Sequence, residues 1–451
     1  MHWFGPMPGS REARALSWMA IAAGLIVCAL SIVRGFQGQT FMGRPLGGDF
    51  VQFYTVGEIL NQYQPARIYD LDLEIPLQHA AAPGAPHDQM LVFASAPYAA
   101  QIYRPFALLP YAWAYIAWLV FSMALYAAAV MLLLSSAKLT AAQKQTGFLL
   151  AISFMPFLME SWIGGQISIV AFFAVALFVF LRSRNRRFLA GLALALALFK
   201  PTLIAIPILM LLIGRRWRML AGVAAGAASL AVVSIATVGM EGCARWIGTL
   251  QFYGHLATGS AAALRRMKYV DAGSFFHLLI GNSAIAQILG VLAPVAGIAI
   301  LAVAWWRSSG WDAPSRDLLW AATFAGALVS NVYTPIYDSI LIAPAVALAA
   351  GVMLKRGESE REMLAAWMVL LYIVPWLTQS FAEFLRFQPF TLVLAGFAWW
   401  VLGQARLPAA TRPVLGVTSY IESFGTRNFS RRLSVLLRSY SPLSRPTMGT
   451  R

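Results

Sequence analysis

The sequence is poor in charge. Of its 451 residues only 12% are Asp, Glu, Lys or Arg, about half of what a soluble protein carries, which excludes an ordinary water-soluble enzyme. Cysteine is nearly absent: Cys28, in an apolar run, and Cys243, in a mixed segment, give neither metal-ligand spacing nor a disulfide framework. The five histidines (His2, His79, His87, His255 and His277) are scattered, so no His/Cys/acid cluster of the zinc type forms along the chain. No Walker, dinucleotide-binding, GxSxG or HExxH pattern occurs. No repeat with a period of roughly 20–50 residues stands out. Neither a metal nor a cofactor is expected.

What is present is apolar surface. Hydrophobic residues make up 59% of the chain and the mean hydropathy is +0.68. Apolar runs recur at lengths that suit a hydrocarbon layer about 30 Å thick. The expected fold is an all-α polytopic transmembrane helix bundle of about 12 membrane segments, with a long first extracytoplasmic loop over 35–110. The net charge of +16 does not point to nucleic acid, because the basic residues are dispersed among short loops. Retention of Lys and Arg on the cytoplasmic side accounts for them better.

The first span, near 15–33, reads as a retained anchor rather than a cleaved signal peptide, since no small-residue cleavage site follows it. Further spans are expected near 111–134, 145–159, 167–181, 219–239, 284–305, 318–331, 336–353, 363–379 and 388–403. Residues 188–213 are apolar except for Lys200-Pro201 at their centre, and basic clusters flank them at Arg182–Arg187 and Arg215–Arg218. One continuous helix would put those clusters on opposite sides of the membrane. A broken helical hairpin turning at Lys200-Pro201 keeps both in the cytoplasm and aims Lys200 at the extracytoplasmic side. Segment 240–283, with Trp246, Phe252, Arg265, Arg266 and Lys268, is expected to be an interfacial loop. An interfacial helix touching headgroups and a plain connection with snorkelling cations both remain open. An integral membrane domain over 1–403 then gives way to a basic, Ser- and Pro-rich tail over 404–451, expected to be disordered in the cytoplasm. With both termini inside, roughly 24 of the 34 Lys+Arg fall in the cytoplasm.

The stretch Gly47-Gly48-Asp49-Phe50-Val51-Gln52-Phe53-Tyr54 follows the first span. Two readings of Asp49 stand side by side. It starts a helix as an N-cap, or it is an acid facing a cavity at the membrane surface, where desolvation is costly and acids usually have a task. On the expected topology Asp49, Tyr103, Arg104, Gln166, Lys200, Tyr337 and Asp338 all fall near one membrane face. An acid beside cations at a lipid boundary suits transfer from a lipid-phosphate donor: the cations neutralise the leaving phosphate and the acid takes a proton from the attacking hydroxyl.

Several short motifs carry a resemblance. They are Asp49 to Tyr54, Tyr103-Arg104-Pro105 before Leu109-Pro110-Tyr111, Gly165-Gln166 opening a span, Leu189-Ala190-Gly191-Leu192 leading to Lys200-Pro201, Arg215 to Arg218, and Thr334-Pro335-Ile336-Tyr337-Asp338. In order and spacing over about residues 45–350 the chain resembles glycosyltransferase family 87 of the membrane-embedded GT-C glycosyltransferases. Arg104 stands where that family more often has a proline.

The resemblance implies an inverting transferase in the cytoplasmic (inner) membrane, its active site facing the extracytoplasmic side. It implies a polyprenyl-phosphate-linked sugar as donor, a hexose or pentose with mannose foremost, and a glycolipid or polysaccharide as acceptor. It implies Asp49 as catalytic base, with Tyr54, Tyr103, Arg104, Gln166, Lys200, Tyr337 and Asp338 binding donor phosphate or substrate. A polytopic carrier or flippase for a lipid-linked substrate is the alternative, although no inverted repeat of the kind such carriers use is visible.

Overall fold

A computed structural model describes residues 11–41, 45–83, 91–137, 139–258 and 266–406. The basic tail beyond Arg406, Lys138, Asp88 and Arg265 lie outside the described residues. The fold is all-helical. Among the described residues no strand forms, and an isolated antiparallel bridge joins Tyr269 and Pro335.

Among the described residues, six helical stretches are long and apolar enough to cross a membrane: Arg11–Phe36, Tyr111–Ser136, Trp217–Phe252, Ala284–Gly310, Ile336–Met353 and Glu358–Leu385. Four shorter apolar ones, Ser168–Ser183, Arg187–Phe199, Thr202–Ile213 and Pro389–Ala405, pack among them. The expected span near 145–159 is instead a short helix, Ala141–Ile152, followed by a π-helical segment, Pro156–Trp162. Pro156 cannot supply the N–H that would carry the first helix onward. The described part of segment 240–283 up to Thr258 is helical, in keeping with the helix alternative rather than a plain loop. Helix continues from Trp217 to Thr258 through a kink at Gly239, where φ is +69°.

We label the helices that position the site. Helix α1, Arg11–Phe36, turns a stripe of small residues inward, with Ala13, Ser17, Gly24, Cys28 and Ser31 buried. Its large side chains, Trp18, Leu25, Ile26 and Val33, face outward. Small residues on the packed face are how membrane helices approach closely without a hydrophobic driving force between them. Helix α2, Phe50–Gln62, lies against helix α3, Tyr111–Ser136, through an aromatic core. Phe50 stacks on Trp118 with centroids 5.9 Å apart, Tyr103 stacks on Phe53 at 4.8 Å, and all four rings are buried. Such pairs contribute about 0.5–1.5 kcal/mol each beyond the area they bury.

Helices α4 (Ser168–Ser183) and α6 (Thr202–Ile213) end in the same way. Asn185 and Arg215 adopt left-handed conformations, with φ +58° and +53°. The next residues close the cap, Arg186 N–H donating to Leu181 O and Arg216 N–H to Leu211 O, both at 2.9 Å. Each is a Schellman motif, and each turns the chain sharply into a new helix.

Those new helices, α5 (Arg187–Ala195) and α7 (Trp217–Thr258), start side by side and run in parallel. A Cβ on Gly191 would lie 1.9 Å from Met219 O, one on Gly222 2.0 Å from Phe188 O, and one on Gly226 2.5 Å from Ala195 Cβ. Contacts that advance together along both chains put Arg187 and Trp217 at the same end. A 3-10 turn, Leu196–Phe199, follows α5, and α6 then runs back from Thr202. Lys200-Pro201 therefore lies at the far tip, with Arg182–Arg187 and Arg215–Arg218 together at the opposite end.

Candidate functional site

Two glycine turns build the site by interlocking. Gly47, Gly48 and Gly165 have φ of +75°, +53° and +68°, a region that side chains other than glycine enter at a cost of roughly 1–2 kcal/mol. Asp49 N–H donates to Gly164 O at 3.2 Å and Phe50 N–H to Gly47 O at 2.9 Å. A Cβ on Gly165 would sit 2.5 Å from Phe50 Cβ and 2.6 Å from Gly47 O, so the turns touch backbone to backbone. From below, Tyr115 Oη donates to Ile163 O at 2.7 Å and Trp162 Nε1 to Leu119 O at 2.9 Å, clamping the second turn to α3.

Asp49 occupies the N-cap position of α2, yet its side chain makes no capping bond to the helix. Its carboxylate instead accepts a hydrogen bond from Nε2 of Gln166, a buried residue. The N-cap reading therefore describes where Asp49 sits in the helix but not what its side chain does.

Two residues beyond Gln166, at the first position of α4, a second polar group assembles. Ser168 Oγ donates to Oδ1 of Asp338, and Lys200 Nζ donates to Oδ2 of the same carboxylate. Asp338 is fully buried. The ammonium also lies over the rings of Tyr337, at 4.9 Å, and Tyr333, at 5.7 Å, a cation–π arrangement that stabilises a partly desolvated cation. Because Gln166 and Ser168 are no more than about 7 Å apart along the chain, the Asp49 and Asp338 groups flank one helix start.

Segment 331–338 reaches this place through three attachments. Val270 N–H donates to Thr334 O at 2.8 Å, Ile336 N–H to Lys268 O at 2.9 Å, and Thr334 N–H to Asp271 Oδ2 at 2.9 Å. Asp271 is fully buried and caps the helix Ala272–Ile280 by accepting from Ser274 N–H at 2.7 Å. Burial pushes its pKa up to about 6, against the opposing pull of the N–H groups of Ser274 and Thr334. Ser161 Oγ, in the π-helical segment, lies 2.8 Å from Pro156 O and 3.0 Å from Tyr337 O and shares its proton between them. π-Helical turns of this sort recur at functional sites.

Not every residue marked in the sequence comes to this place. Asp49, Gln166, Lys200, Tyr337 and Asp338 do. Arg104 does not: its Nε donates to Asn61 Oδ1 at 3.0 Å, and Asn61 Nδ2 returns a bond to Arg104 O. Asn61 stands at the far end of α2, about 18 Å along the axis from Asp49 at 1.5 Å per residue. Tyr103 is a core residue with a fully buried ring and a phenol oxygen that has no hydrogen-bond partner among the described residues. Tyr54 is also packed inward, its phenol donating to Leu109 O at 3.0 Å. Ser161, Ser168, Asp271 and Tyr333 were not marked by sequence reasoning. The Asp271-x-x-Ser274 spacing before an apolar run is a capping signal that would have drawn attention to the first of the two acids buried there. Among the described residues no three His, Cys, Asp or Glu side chains gather into a metal-ligating group.

A family model, that of glycosyltransferase family 87, matches residues 93–335, more than half of the chain. The chain belongs to glycosyltransferase family 87. It is a glycosyltransferase with membrane-crossing helices, acting on a sugar donor and an acceptor in the membrane. The family 87 match takes in Gln166, Ser168, Lys200, Asp271 and Tyr333. Asp49 lies before it, and Tyr337 and Asp338 lie after it. No curated protein and no solved structure matches the chain.

Proposed function

We propose that this family 87 transferase moves a hexose, mannose foremost, from a polyprenyl-phosphate donor to a glycolipid or polysaccharide acceptor, with inversion at the anomeric carbon. The observation that carries this reading is the pairing of Asp49 with Gln166 beside the Lys200–Asp338–Ser168 group at the start of α4. Asp49 is the base. The acceptor oxygen forms a bond to the anomeric carbon, its proton passes to the Asp49 carboxylate, and the bond from that carbon to the phosphate oxygen breaks on the opposite face. The leaving polyprenyl phosphate carries the electron pair away.

Lys200 is the cation of the group that flanks this helix start. An ammonium has three donors. Asp338 takes one, leaving the others to meet phosphate oxygens between the rings of Tyr337 and Tyr333. The α4 N-terminus adds backbone N–H groups and dipole to the same anion. Arg104 and Tyr103 have no part in this scheme.

The end that carries Asp49 and Lys200 is extracytoplasmic in this reading, in a cytoplasmic (inner) membrane. Its support is the opposite end, where Arg182 to Arg187 and Arg215 to Arg218 collect as cytoplasmic loops do. The test is turnover with radiolabelled polyprenyl-phosphate mannose and a membrane-lipid extract. A positioned base contributes 10²–10⁴ in rate, so Asp49→Asn is expected to lower turnover at least about a hundredfold with donor binding retained. Glu58→Gln, on the opposite side of α2, is expected to act mildly. Full transfer by Asp49→Asn would remove the base from Asp49. Substrate counterflow without any labelled product would favour a carrier.

A further inference from the structure

The end of the bundle away from Asp49 holds an unusual density of one side chain. Arg182 closes α4 and Arg184 and Arg186 follow it, Arg187 opens α5, Arg215 and Arg216 follow α6, Arg218 lies in the first turn of α7, and Arg307 precedes and Arg316 lies in the first turn of helix α8, Ala313–Ser330. Only Asp312 and Asp317 offset these nine arginines within the same loops. Asp312 caps α8, accepting from Ser315 N–H at 2.9 Å. Asp317 accepts from Arg182 Nη2 at 2.5 Å.

An aromatic wedge holds the loops together. Arg216 lies over Trp305, 5.9 Å from its centroid, and Arg215 lies over Trp306 at 5.1 Å. Trp305 meets Trp320 edge-on at 4.8 Å, and Phe178 of α4 meets the same Trp320 at 4.8 Å. Arg216 is thereby fixed half-buried. Burial, and then the charges of Arg316, Arg187 and Arg182, pull its pKa below the usual guanidinium range. Arg182 Nε is buried and has no hydrogen-bond partner among the described residues.

Asymmetric charge across the membrane accounts for arginines in these loops, but not for their convergence. Arg182 is tied to α8 through Asp317, Arg216 rests on Trp305 against Trp320 of the same helix, Arg316 of α8 donates to Trp311 O, and Arg187 opens α5 where Phe188 O meets Gly222 of α7, so four elements bring their arginines to one end of the bundle. We propose that Arg182, Arg187, Arg216 and Arg316 form a binding site for a phosphate group, that of an anionic phospholipid headgroup in the leaflet at this end.

Guanidinium forks match phosphate oxygens two at a time and are less strongly hydrated than ammonium groups, which suits a half-buried position. Basic pockets between membrane helices on the cytoplasmic side bind anionic headgroups. The site lies at the other end of the 16-residue α4 from the Asp49 group, about 24 Å away. It is independent of the transfer reaction.

The experiment uses the full-length protein in mixed micelles of phosphatidylcholine alone or with phosphatidylglycerol. Melting is followed, and bound lipid is counted by native mass spectrometry. The wild type is expected to keep phosphatidylglycerol and to melt at least about 3 °C higher with it, as for a ligand that binds the folded state. Arg187→Gln with Arg216→Gln should lose that increment. Lys355→Gln with Arg361→Gln, an equal charge change among exposed residues, should keep it. Should the double arginine variant fail to fold, Arg187→Gln alone, at an exposed position, is expected to weaken lipid retention about fivefold. Millimolar inorganic phosphate distinguishes the source: if it competes weakly the headgroup is the ligand, and if it reproduces the whole increment the site takes phosphate from solution. The proposal is overturned if neither phosphate source raises the melting temperature, or if both double variants lose the increment equally. The second result would mean diffuse surface charge.

Discussion

Gln166 donates its side-chain N–H to the Asp49 carboxylate across 117 residues of chain. A hydrogen bond to the charged form of an acid favours that form and orients it. If Asp49 is the base, Gln166 helps to set its aim. Gln166→Leu, close in volume but without a donor, is expected to lower kcat about tenfold with KM for the donor little changed. Gln166→Asn, with a shorter reach, should fall between the two. An unchanged kcat in Gln166→Leu would leave Gln166 a merely structural part of the turn.

The Lys200–Asp338 pair makes a prediction about stability as well as rate. Asp338 is fully buried and Lys200 is 15% exposed, so removing the cation leaves a carboxylate in a dry place with Ser168 as its remaining side-chain donor among the described residues. Breaking one side of a buried pair costs about 3–5 kcal/mol. Lys200→Met is therefore expected to lower the melting temperature clearly, and Lys200→Met with Asp338→Asn to recover most of the loss. Both variants should be inactive. A Lys200→Met protein that melts like the wild type would show that the pair contributes little.

The glycine turns can be tested at one atom. Gly165 and Gly38 share a φ of +68°, but a Cβ on Gly38 meets nothing within 4 Å, whereas one on Gly165 meets Phe50 Cβ at 2.5 Å. Gly38→Ala carries only the left-handed cost of roughly 1–2 kcal/mol and is expected to express and fold. Gly165→Ala adds a clash with backbone and a core ring, so it should lower folded yield severely or, if folded, separate Gln166 from Asp49 and abolish transfer. Equal behaviour of the two variants would mean that the turns do not interlock as described.

Much of this arrangement is legible in the chain because glycine, proline and charge punctuate it. Gly47-Gly48, Gly164-Gly165 and Lys200-Pro201 mark the places where backbone must bend, and the basic clusters on either side of 188–213 fix which end each bend occupies. Composition alone was sufficient for an all-α membrane protein. Other features depend on contacts that no local pattern records. Arg104 looked like a cation at the site because it follows Tyr103 in a polar loop. The loop docks on the far end of α2, where Asn61 holds it. Tyr103 was a substrate-binding candidate through the same motif, yet Phe53 and Trp118 enclose it. Ser168 was passed over because a serine opening an apolar helix is common. Its bond to Asp338 joins positions 170 residues apart. The number of crossing segments was also less legible than their existence, since apolar runs of 12–18 residues such as Thr202–Ile213 pack inside the bundle without a full span's length.

Asp271 supplies the last prediction, and its sign follows from the direction of its shift. Its carboxyl titrates at about 6 in the folded protein against an ordinary value of 3.8. Folding therefore takes up a proton between those values. The stability this group contributes is complete below about pH 4 and is lost as pH rises through about 6, a difference of roughly 3 kcal/mol. Asp271→Asn cannot ionise, so it stands in for the protonated side chain at every pH. The two proteins are expected to be closest in stability at low pH, where Asp271 is itself neutral. The wild type should then lose stability relative to the variant between about pH 5 and 7, where the buried carboxylate must carry its charge. Melting curves of both proteins from pH 4.5 to 8 measure that difference with every other titrating group cancelled. Thr334-Pro335 hangs from Asp271 and leads directly to Tyr337 and Asp338, so transfer by Asp271→Asn should fall through a raised KM for donor more than through kcat. Parallel melting curves across the whole range would show that Asp271 does not titrate there.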